Sequence, residues 1–148
     1  MFLDRYDVEV GSEMTIFEFV SKGKRGDITK VVRFDKTNLK DFYNLGFGDK
    51  DEVSGQIDDK VITDNGDSEK VLATIAATVY GFTGRFPKAW VYLTGTNLAR
   101  TRLYRIGIGK YLDNIKTDFD VYGLVEKNRW KSFERNQNYK AFLIKRKA

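Results

Sequence analysis

The sequence predicts an α+β fold: a single domain over residues 1–148, with a largely antiparallel sheet and two main helices packed on one face of it. Three observations support this class. Short connections separate the strand-like segments of the first third, which favours antiparallel pairing. Two later segments place apolar residues at helical spacing. No linker, internal repeat or low-complexity segment marks a second domain.

The first third is predicted to form strands. Residues 5–10 alternate polar and apolar side chains, and residues 14–20 and 28–34 are rich in β-branched and aromatic types. A turn is expected from Ser21 to Asp27. Residues 38–47 fit either a further strand or one helical turn, and the pattern does not decide between them.

The first helix is expected to begin after Asp67, a suitable N-cap residue. Its apolar stripe has helical spacing and consists of Val71, Ile75, Val79 and Phe82. Gly81, Gly84 and the only proline, Pro87, are expected to end it. Before this helix, a hairpin is predicted around residues 53–62.

A short apolar segment, residues 88–94, is expected to be a buried strand that leads to the second helix. This helix should start after Thr96 or Asn97, with an inner stripe of Leu98, Thr101, Tyr104, Ile108, Tyr111 and Ile115. Gly107 and Gly109 indicate close packing or an early end. Strands are expected at 119–125 and 141–144, and a strand–helix–strand crossover fits residues 88–125.

Composition excludes several classes of site. The chain has no cysteine and no histidine, which rules out disulfides, thiolate or histidine-based nucleophilic dyads and triads, and zinc sites with those ligands. We expect no cofactor. We also expect no membrane partner, because no apolar run is long enough to span a bilayer. The N-terminus lacks the core of a signal peptide, which favours an intracellular, cytoplasmic protein.

The strongest candidate site lies at the predicted start of the second helix. Amides at a helix N-terminus favour an anion, and Thr96, Asn97, Arg100, Arg102 and Arg105 supply polar and cationic groups there. Arg102 and Arg105 should point roughly the same way, whereas Arg100 lies about 200° from Arg102. The alternative is that these arginines pair with acidic residues or cover apolar surface with their stems.

A second candidate is the segment of basic and aromatic residues over 129–140, represented by Arg129, Trp130, Lys131 and Arg135. Such a mixture is able to stack on unpaired bases while contacting phosphates. The alternative places Trp130 and Phe133 in the core. Residues 96–148 carry thirteen basic and five acidic side chains, a net charge of +8, which favours nucleic acid or another polyanion as the partner.

Acidic side chains cluster between residues 49 and 67, and seven of them are potential oxygen ligands: Asp49, Asp51, Glu52, Asp58, Asp59, Asp64 and Asp67. The spacing fails the calcium-loop pattern, because Val53 occupies a ligand position and the glycine falls at Gly55. Capped turns explain the cluster better, so no metal site is predicted.

Three segments resemble a family of short, uncharacterised bacterial proteins classed as a domain of unknown function. They are residues 47–49, residues 65–67 with 70–74, and Gly95-Thr96 with residues 100–105. The resemblance extends from about Tyr6 to the C-terminal strand, and residues 100–105 are its most specific part. It implies a free-standing bacterial cytoplasmic protein, with no activity or cofactor attached.

Three functions are compatible with these features. The favoured one is a non-catalytic binding or regulatory module, a candidate homo-oligomer, that engages an anionic partner through residues 96–105. The second is a histidine-free phosphodiester-cleaving enzyme such as a toxin-like ribonuclease, with Tyr104 or an acidic residue from 58–67 handling protons. The third is a structural or protein-interaction subunit.

Overall fold

The computed structural model describes residues 4–11, 13–58, 65–95 and 98–148. These residues form nine strands in an open, mostly antiparallel sheet, together with three α-helices. The predicted α+β class is therefore confirmed. The chain divides into two compact units, which comprise residues 1–35 with 46–85 and residues 36–45 with 86–148.

The first unit contains most of the N-terminal strands and the longest helix. Its elements are β1 (Glu9–Val10), β2 (Ile16–Gly23), β3 (Gly26–Lys36), the last five residues of β4 (Phe42–Lys50), β5 (Ile57–Asp58) and α1 (Ser68–Arg85). The strand order is β1-β2-β3-β4, and β5 pairs with β4. β2 and β3 form a hairpin that continues to Gly23 and Gly26. The expected turn over residues 21–27 is thus much shorter, because strand pairing continues into it.

Aromatic packing joins α1 to the sheet of the first unit. Phe82 stacks on Phe34 with ring centroids 4.1 Å apart, and Phe34 contacts Phe17 edge to face. Gly81 lies inside the helix, where its Cα faces the Phe17 ring. The prediction that Gly81 and Gly84 end the helix is therefore wrong, because α1 continues to Arg85 and Gly81 packs against Phe17 from within it.

A polar network surrounds the start of α1. Asp67 directly precedes the helix, as the sequence predicts, and its Oδ2 accepts hydrogen bonds from the hydroxyls of Tyr6 and Ser21, each at 2.5 Å. Asn65 is buried and donates to Ser21 Oγ at 3.1 Å. Burial and the bond to Asp67 raise the pKa of Tyr6. The network ties the helix start to β2.

The second unit combines the C-terminal strands with two helices. After the first four residues of β4 come β6 (Trp90–Leu93), α2 (Leu98–Lys110), α3 (Leu112–Asp118), β7 (Phe119–Val125), β8 (Arg129–Ser132) and β9 (Phe142–Arg146). A 3-10 turn, Glu126–Asn128, separates β7 from β8. The strand order is β4-β6-β9-β7-β8. The second predicted helix is thus two helices that meet at Tyr111.

The C-terminal strand β9 occupies the middle of this unit. It pairs antiparallel with both β6 and β7, so these two strands run parallel to each other without pairing directly. The predicted crossover over residues 88–125 is consequently not a pair of adjacent strands. β4 and β6 do pair in parallel. β8, over residues 129–132, was not predicted as a strand, because its alternating Arg-Trp-Lys-Ser pattern looks like a polar loop.

One face of the second unit's sheet forms its core. Val91, Leu93, Phe142 and Ile144 are buried there, and Phe119 and Val121 continue this face on β7. Helices α2 and α3 contribute buried side chains to the same core, namely Tyr104, Ile108, Leu112 and Ile115. The opposite face carries Trp90 and Tyr92, which are only half-buried. The strand expected over residues 88–94 is thus present, but only one of its two faces is buried.

Candidate anion-binding cleft and aromatic face

A cleft of about 850 Å³ opens in the second unit where β6 and β7 end and α2 begins. Its walls come from four parts of the chain. Thr94 and Gly95 follow β6, residues 124–125 end β7 and Glu126 follows it, and residues 138–140 precede β9. Helix α2 contributes Leu98, Thr101, Arg102 and Arg105. We call this site the anion cleft.

The three arginines of α2 occupy two different environments. Arg102 and Arg105 line the anion cleft, whereas Arg100 is only 2% exposed. This is the separation expected from about 100° of rotation per residue in a helix. Over the described residues, the side chains of Arg102 and Arg105 make no hydrogen bond and no ion pair. Among the described residues, no carboxylate therefore neutralises Arg102 or Arg105, contrary to the alternative interpretation of the sequence.

Lys140 and Glu126 also line the anion cleft, and both are exposed. Together with Arg102 and Arg105 they give three positive charges and one negative charge. The balance of the cleft is therefore +2, which favours an anionic ligand. Arg102 and Lys140 are exposed and Arg105 is half-buried, so their charges contribute little to the stability of the fold.

Gly95 brings the end of β6 against the first turn of α2. Its amide donates to Thr101 Oγ1 at 3.1 Å. A Cβ at this position would lie 2.4 Å from the Thr101 nitrogen and 2.8 Å from Arg100 Cβ, closer than real contacts allow. Only glycine permits this approach. Thr96 and Asn97, the other predicted anion ligands, lie outside the described residues.

Tyr104 lies on the buried side of α2, one turn after Arg100. It is 3% exposed, and burial raises its pKa to about 12, although the Arg100 charge opposes the rise. The side chain is not part of the cleft lining. It is therefore unsuited to the proton transfer that a phosphodiester-cleaving enzyme would require of it.

The second predicted cluster is distributed over both faces of β8 and the following loop. Lys131 donates to Gln137 Oε1 at 3.1 Å and lies 3.5 Å from Glu134. Arg135 Nε donates to the Gly109 carbonyl at 2.8 Å. Arg129 is exposed. The cluster does not converge on one site, because neighbouring residues of a strand point to opposite faces.

Trp130 and Phe133 have different environments. Phe133 is buried, as the core alternative expects, whereas Trp130 is 40% exposed and so contradicts it. Trp130 pairs with Leu124, which shares a strand face with Tyr122 two residues earlier. Tyr122 lies opposite Leu143, and Tyr92 lies opposite Leu143 on the other side. Residues directly opposite share a face of the sheet.

Five aromatic side chains therefore share the face of this sheet opposite its core: Phe42, Trp90, Tyr92, Tyr122 and Trp130. We call them the aromatic face. Their rings contact one another, with centroid distances of 6.0 Å for Phe42–Tyr92, 6.1 Å for Tyr92–Trp130 and 6.2 Å for Trp90–Tyr122. All five are half-buried or exposed.

Two acidic residues of the predicted cluster, Asp49 and Asp51, have local structural roles. Asp49 forms a buried ion pair with Lys30. Asp51 accepts hydrogen bonds from the amides of Val53 and Ser54, which lower its pKa. Asp59 and Asp64 lie outside the described residues. Among those that are described, no group of three or more acidic side chains is arranged to hold a metal ion.

Comparison with known protein families identifies the chain. The model of a family of unknown function, DUF6934, matches residues 3–147. The chain belongs to this family. The resemblance to a domain of unknown function is confirmed, and the match covers both units. No curated protein and no solved structure matches. None of the helices in the described residues has the length and apolar character needed to cross a membrane.

In this DUF6934 member, sequence reasoning missed several residues of both surfaces. Glu126 reaches the anion cleft without a local pattern to mark it, whereas Asn138 and Lys140 belong to the basic and aromatic segment 129–140 but were not expected at this cleft. The aromatic face does have a local signal. Trp90 and Tyr92 alternate with the buried Val91 and Leu93, which is typical of a strand with one open face.

Proposed function

We propose that this protein is a binding module that engages an anionic partner, nucleic acid first, through the anion cleft. The observation that carries the proposal is that Arg102 and Arg105 line a cleft of about 850 Å³ without an ion pair to any described residue. Guanidinium groups bind phosphate oxygens through paired hydrogen bonds. Lys140 adds a third cation to the same cleft.

The charge of the second unit supports a polyanion as partner. Its residues, 36–45 and 86–148, carry sixteen Lys and Arg against six Asp and Glu, a net charge of +10. The first unit carries ten basic and fifteen acidic residues, a net charge of −5. A concentrated positive charge attracts nucleic acid at long range, and the cleft then supplies the close contacts.

Binding of a labelled 12-mer RNA, measured against salt, tests the proposal. Affinity should fall steeply as salt rises, because each phosphate contact releases bound counterions. Arg102→Ala/Arg105→Ala should weaken binding and reduce the slope of log K against log salt by about 0.7 for each lost contact. Absence of binding by the wild-type protein at low salt would overturn the proposal.

A charge-matched control separates the cleft from general attraction. Lys36 and Lys40 are exposed in the same unit and are not part of the cleft lining. Lys36→Ala/Lys40→Ala removes two positive charges, as the arginine pair does, and should have a much smaller effect on affinity. Equal losses for both double variants would show that diffuse charge, not the cleft, binds the RNA.

We also propose that the protein is bacterial and cytoplasmic, in keeping with the family resemblance. We further propose that it forms a homo-oligomer, which light scattering would detect.

The alternative of a phosphodiester-cleaving enzyme now depends on Glu126, the carboxylate that lines the cleft. Incubation of the same RNA with the wild-type protein and a Glu126→Gln variant tests it. Intact RNA in both samples supports the binding module.

A further inference from the structure

The aromatic face is a second surface of the same unit that the anion cleft does not explain. In a sheet with helices on one face, large aromatic residues on the other face are expected to be covered or to bind something. Here Trp130 remains 40% exposed, and the rings of Phe42, Trp90, Tyr92 and Tyr122 are half-buried. The rings lie side by side across β4, β6, β7 and β8.

The aromatic face adjoins the anion cleft through β7. Leu124 lines the cleft and lies directly opposite Trp130 in the β7–β8 pairing. Tyr92 is two residues before Thr94, which also lines the cleft. A ligand that occupies the cleft therefore has the aromatic rings within reach along the end of the sheet.

The charge of the unit decides which partner fits this face. A second copy of the chain docked on the aromatic face through its own aromatic face would bring two units of net charge +10 together. Electrostatic repulsion opposes that arrangement. A nucleic acid neutralises the same charge. Unpaired bases stack on aromatic rings with little dependence on sequence, whereas the bases of a duplex are already stacked on each other.

We propose that the aromatic face stacks the unpaired bases of a single-stranded RNA whose phosphates lie in the anion cleft. This inference rests on the proposed function and adds the class of nucleic acid and a second set of contacts. Trp130 and Tyr92 are the central rings, since their centroids lie 6.1 Å apart. Each is also close to a residue of the cleft lining: Trp130 is paired with Leu124, and Tyr92 is two residues before Thr94.

Asn138 favours RNA over DNA. It is exposed, lines the cleft, and makes no side-chain hydrogen bond within the part of the chain that the structure describes. Its amide offers both donors and an acceptor. The ribose 2′-hydroxyl also donates and accepts, and it distinguishes RNA from DNA.

Tryptophan fluorescence gives a direct readout, because both tryptophans of the chain, Trp90 and Trp130, belong to the aromatic face. A 12-mer single-stranded RNA should quench the fluorescence of the wild-type protein. Trp130→Ala should weaken RNA binding about tenfold, within the range measured for loss of one base stack, and Trp130→Phe should retain most of the affinity.

Controls test the face itself. Ile106 is an exposed apolar residue on α2 outside the cleft lining, and Ile106→Ala should leave RNA affinity unchanged. An RNA duplex of the same sequence should compete poorly, and single-stranded DNA of that sequence should bind more weakly than RNA. Circular dichroism checks that each variant is folded.

The outcomes separate this inference from the proposed function. If the wild-type protein binds no RNA at low salt, both fail. If it binds RNA with the expected salt dependence, but Trp130→Ala binds equally well and fluorescence is not quenched, only the aromatic face is excluded. Equal competition by the duplex would overturn single-strand recognition, and DNA binding as tight as that of RNA would overturn the choice of RNA.

Discussion

Arg100 and Arg102 are two positions apart on one helix, but their side chains serve different purposes. Arg100 is buried beside Tyr104, whereas Arg102 is exposed in the anion cleft. The rotation of the helix alone separates them by about 200°. At the scale of single residues, position on the helix therefore decides which arginine is available to a ligand.

Burial of Tyr104 predicts a stability loss at high pH. Its pKa rises from 10.0 to about 12 in the folded protein. The stabilising contribution of the neutral phenol is fully present below pH 10 and is lost as pH rises from about 10 to about 12, because only the unfolded chain deprotonates there. Relative to Tyr104→Phe, the wild-type protein should lose about 3 kcal/mol of unfolding free energy across this window.

Urea unfolding of both proteins at several pH values measures this difference. Phenylalanine keeps the ring and removes the ionisable group, so the other tyrosines and the lysines affect both proteins alike. Parallel pH profiles for the wild-type protein and Tyr104→Phe would contradict the assigned burial.

The Lys30–Asp49 pair predicts a large local effect on stability. Lys30 is 1% exposed, and its ammonium lies 6.0 Å from the centre of the Phe47 ring. Asp49→Ala removes the carboxylate from a buried ammonium, which should lower the free energy of unfolding by about 3 to 5 kcal/mol. Asp35→Ala breaks the exposed Arg33–Asp35 pair and should cost less than about 1 kcal/mol. Similar losses in denaturant unfolding would argue against burial as the cause.

At the scale of elements, the close approach of β6 and α2 builds the cleft. The segment between them is short, and Gly95 lies against Thr101 in the first turn of the helix. Arg102 is the next residue and projects into the cleft. The position of the helix start relative to the strand end therefore sets the position of Arg102 in the cleft.

Gly95→Ala should disturb this junction. The added methyl group meets backbone and Cβ atoms of α2, so we expect a destabilisation of about 1 to 3 kcal/mol together with weaker RNA binding. Gly109→Ala is the matched control in the same helix. A Cβ there meets only Arg135 Cγ at 3.9 Å, and alanine should stabilise the helix by up to about 1 kcal/mol. Thermal unfolding and RNA titration of both variants check this. Unchanged stability and RNA affinity in Gly95→Ala would contradict the close approach of Gly95 to Thr101.

At the scale of the whole molecule, charge is divided between the two units. The first has a net charge of −5 and the second of +10, although the chain as a whole is only +5. The aromatic face and the anion cleft both belong to the positive unit. The overall charge thus understates the attraction that one half of the protein exerts on a polyanion.

RNA should therefore stabilise the folded protein. At a ligand concentration of about 100 times Kd, binding adds about 2.7 kcal/mol to the free energy of unfolding, which corresponds to a rise in Tm of roughly 5 to 10 °C. The rise should shrink as salt increases and should be much smaller for Arg102→Ala/Arg105→Ala. Scanning calorimetry with and without the 12-mer measures it, and a Tm unaffected by RNA would contradict binding to the native state.

Much of the architecture could be predicted from local patterns. A high content of β-branched and aromatic residues marked β2 and β3, and the strand over residues 119–125 has the bounds expected for it. Helix α1 starts directly after Asp67, as its N-cap pattern indicates. The strand β8 and the insertion of β9 between β6 and β7 were not predictable, since pairing partners are set by contacts between distant segments.

The amino-acid sequence by itself determined the α+β class, the lack of histidine and cysteine chemistry, the basic C-terminal third and the opposed directions of Arg100 and Arg102. These follow from composition and from periods of two and 3.6 residues, which are local properties. Only the tertiary structure decided that Lys140, Asn138 and Glu126 join Arg102 at one cleft, and that five aromatic rings share an open face. Such groupings arise when strands far apart in the chain pair, and no short segment encodes its distant neighbours.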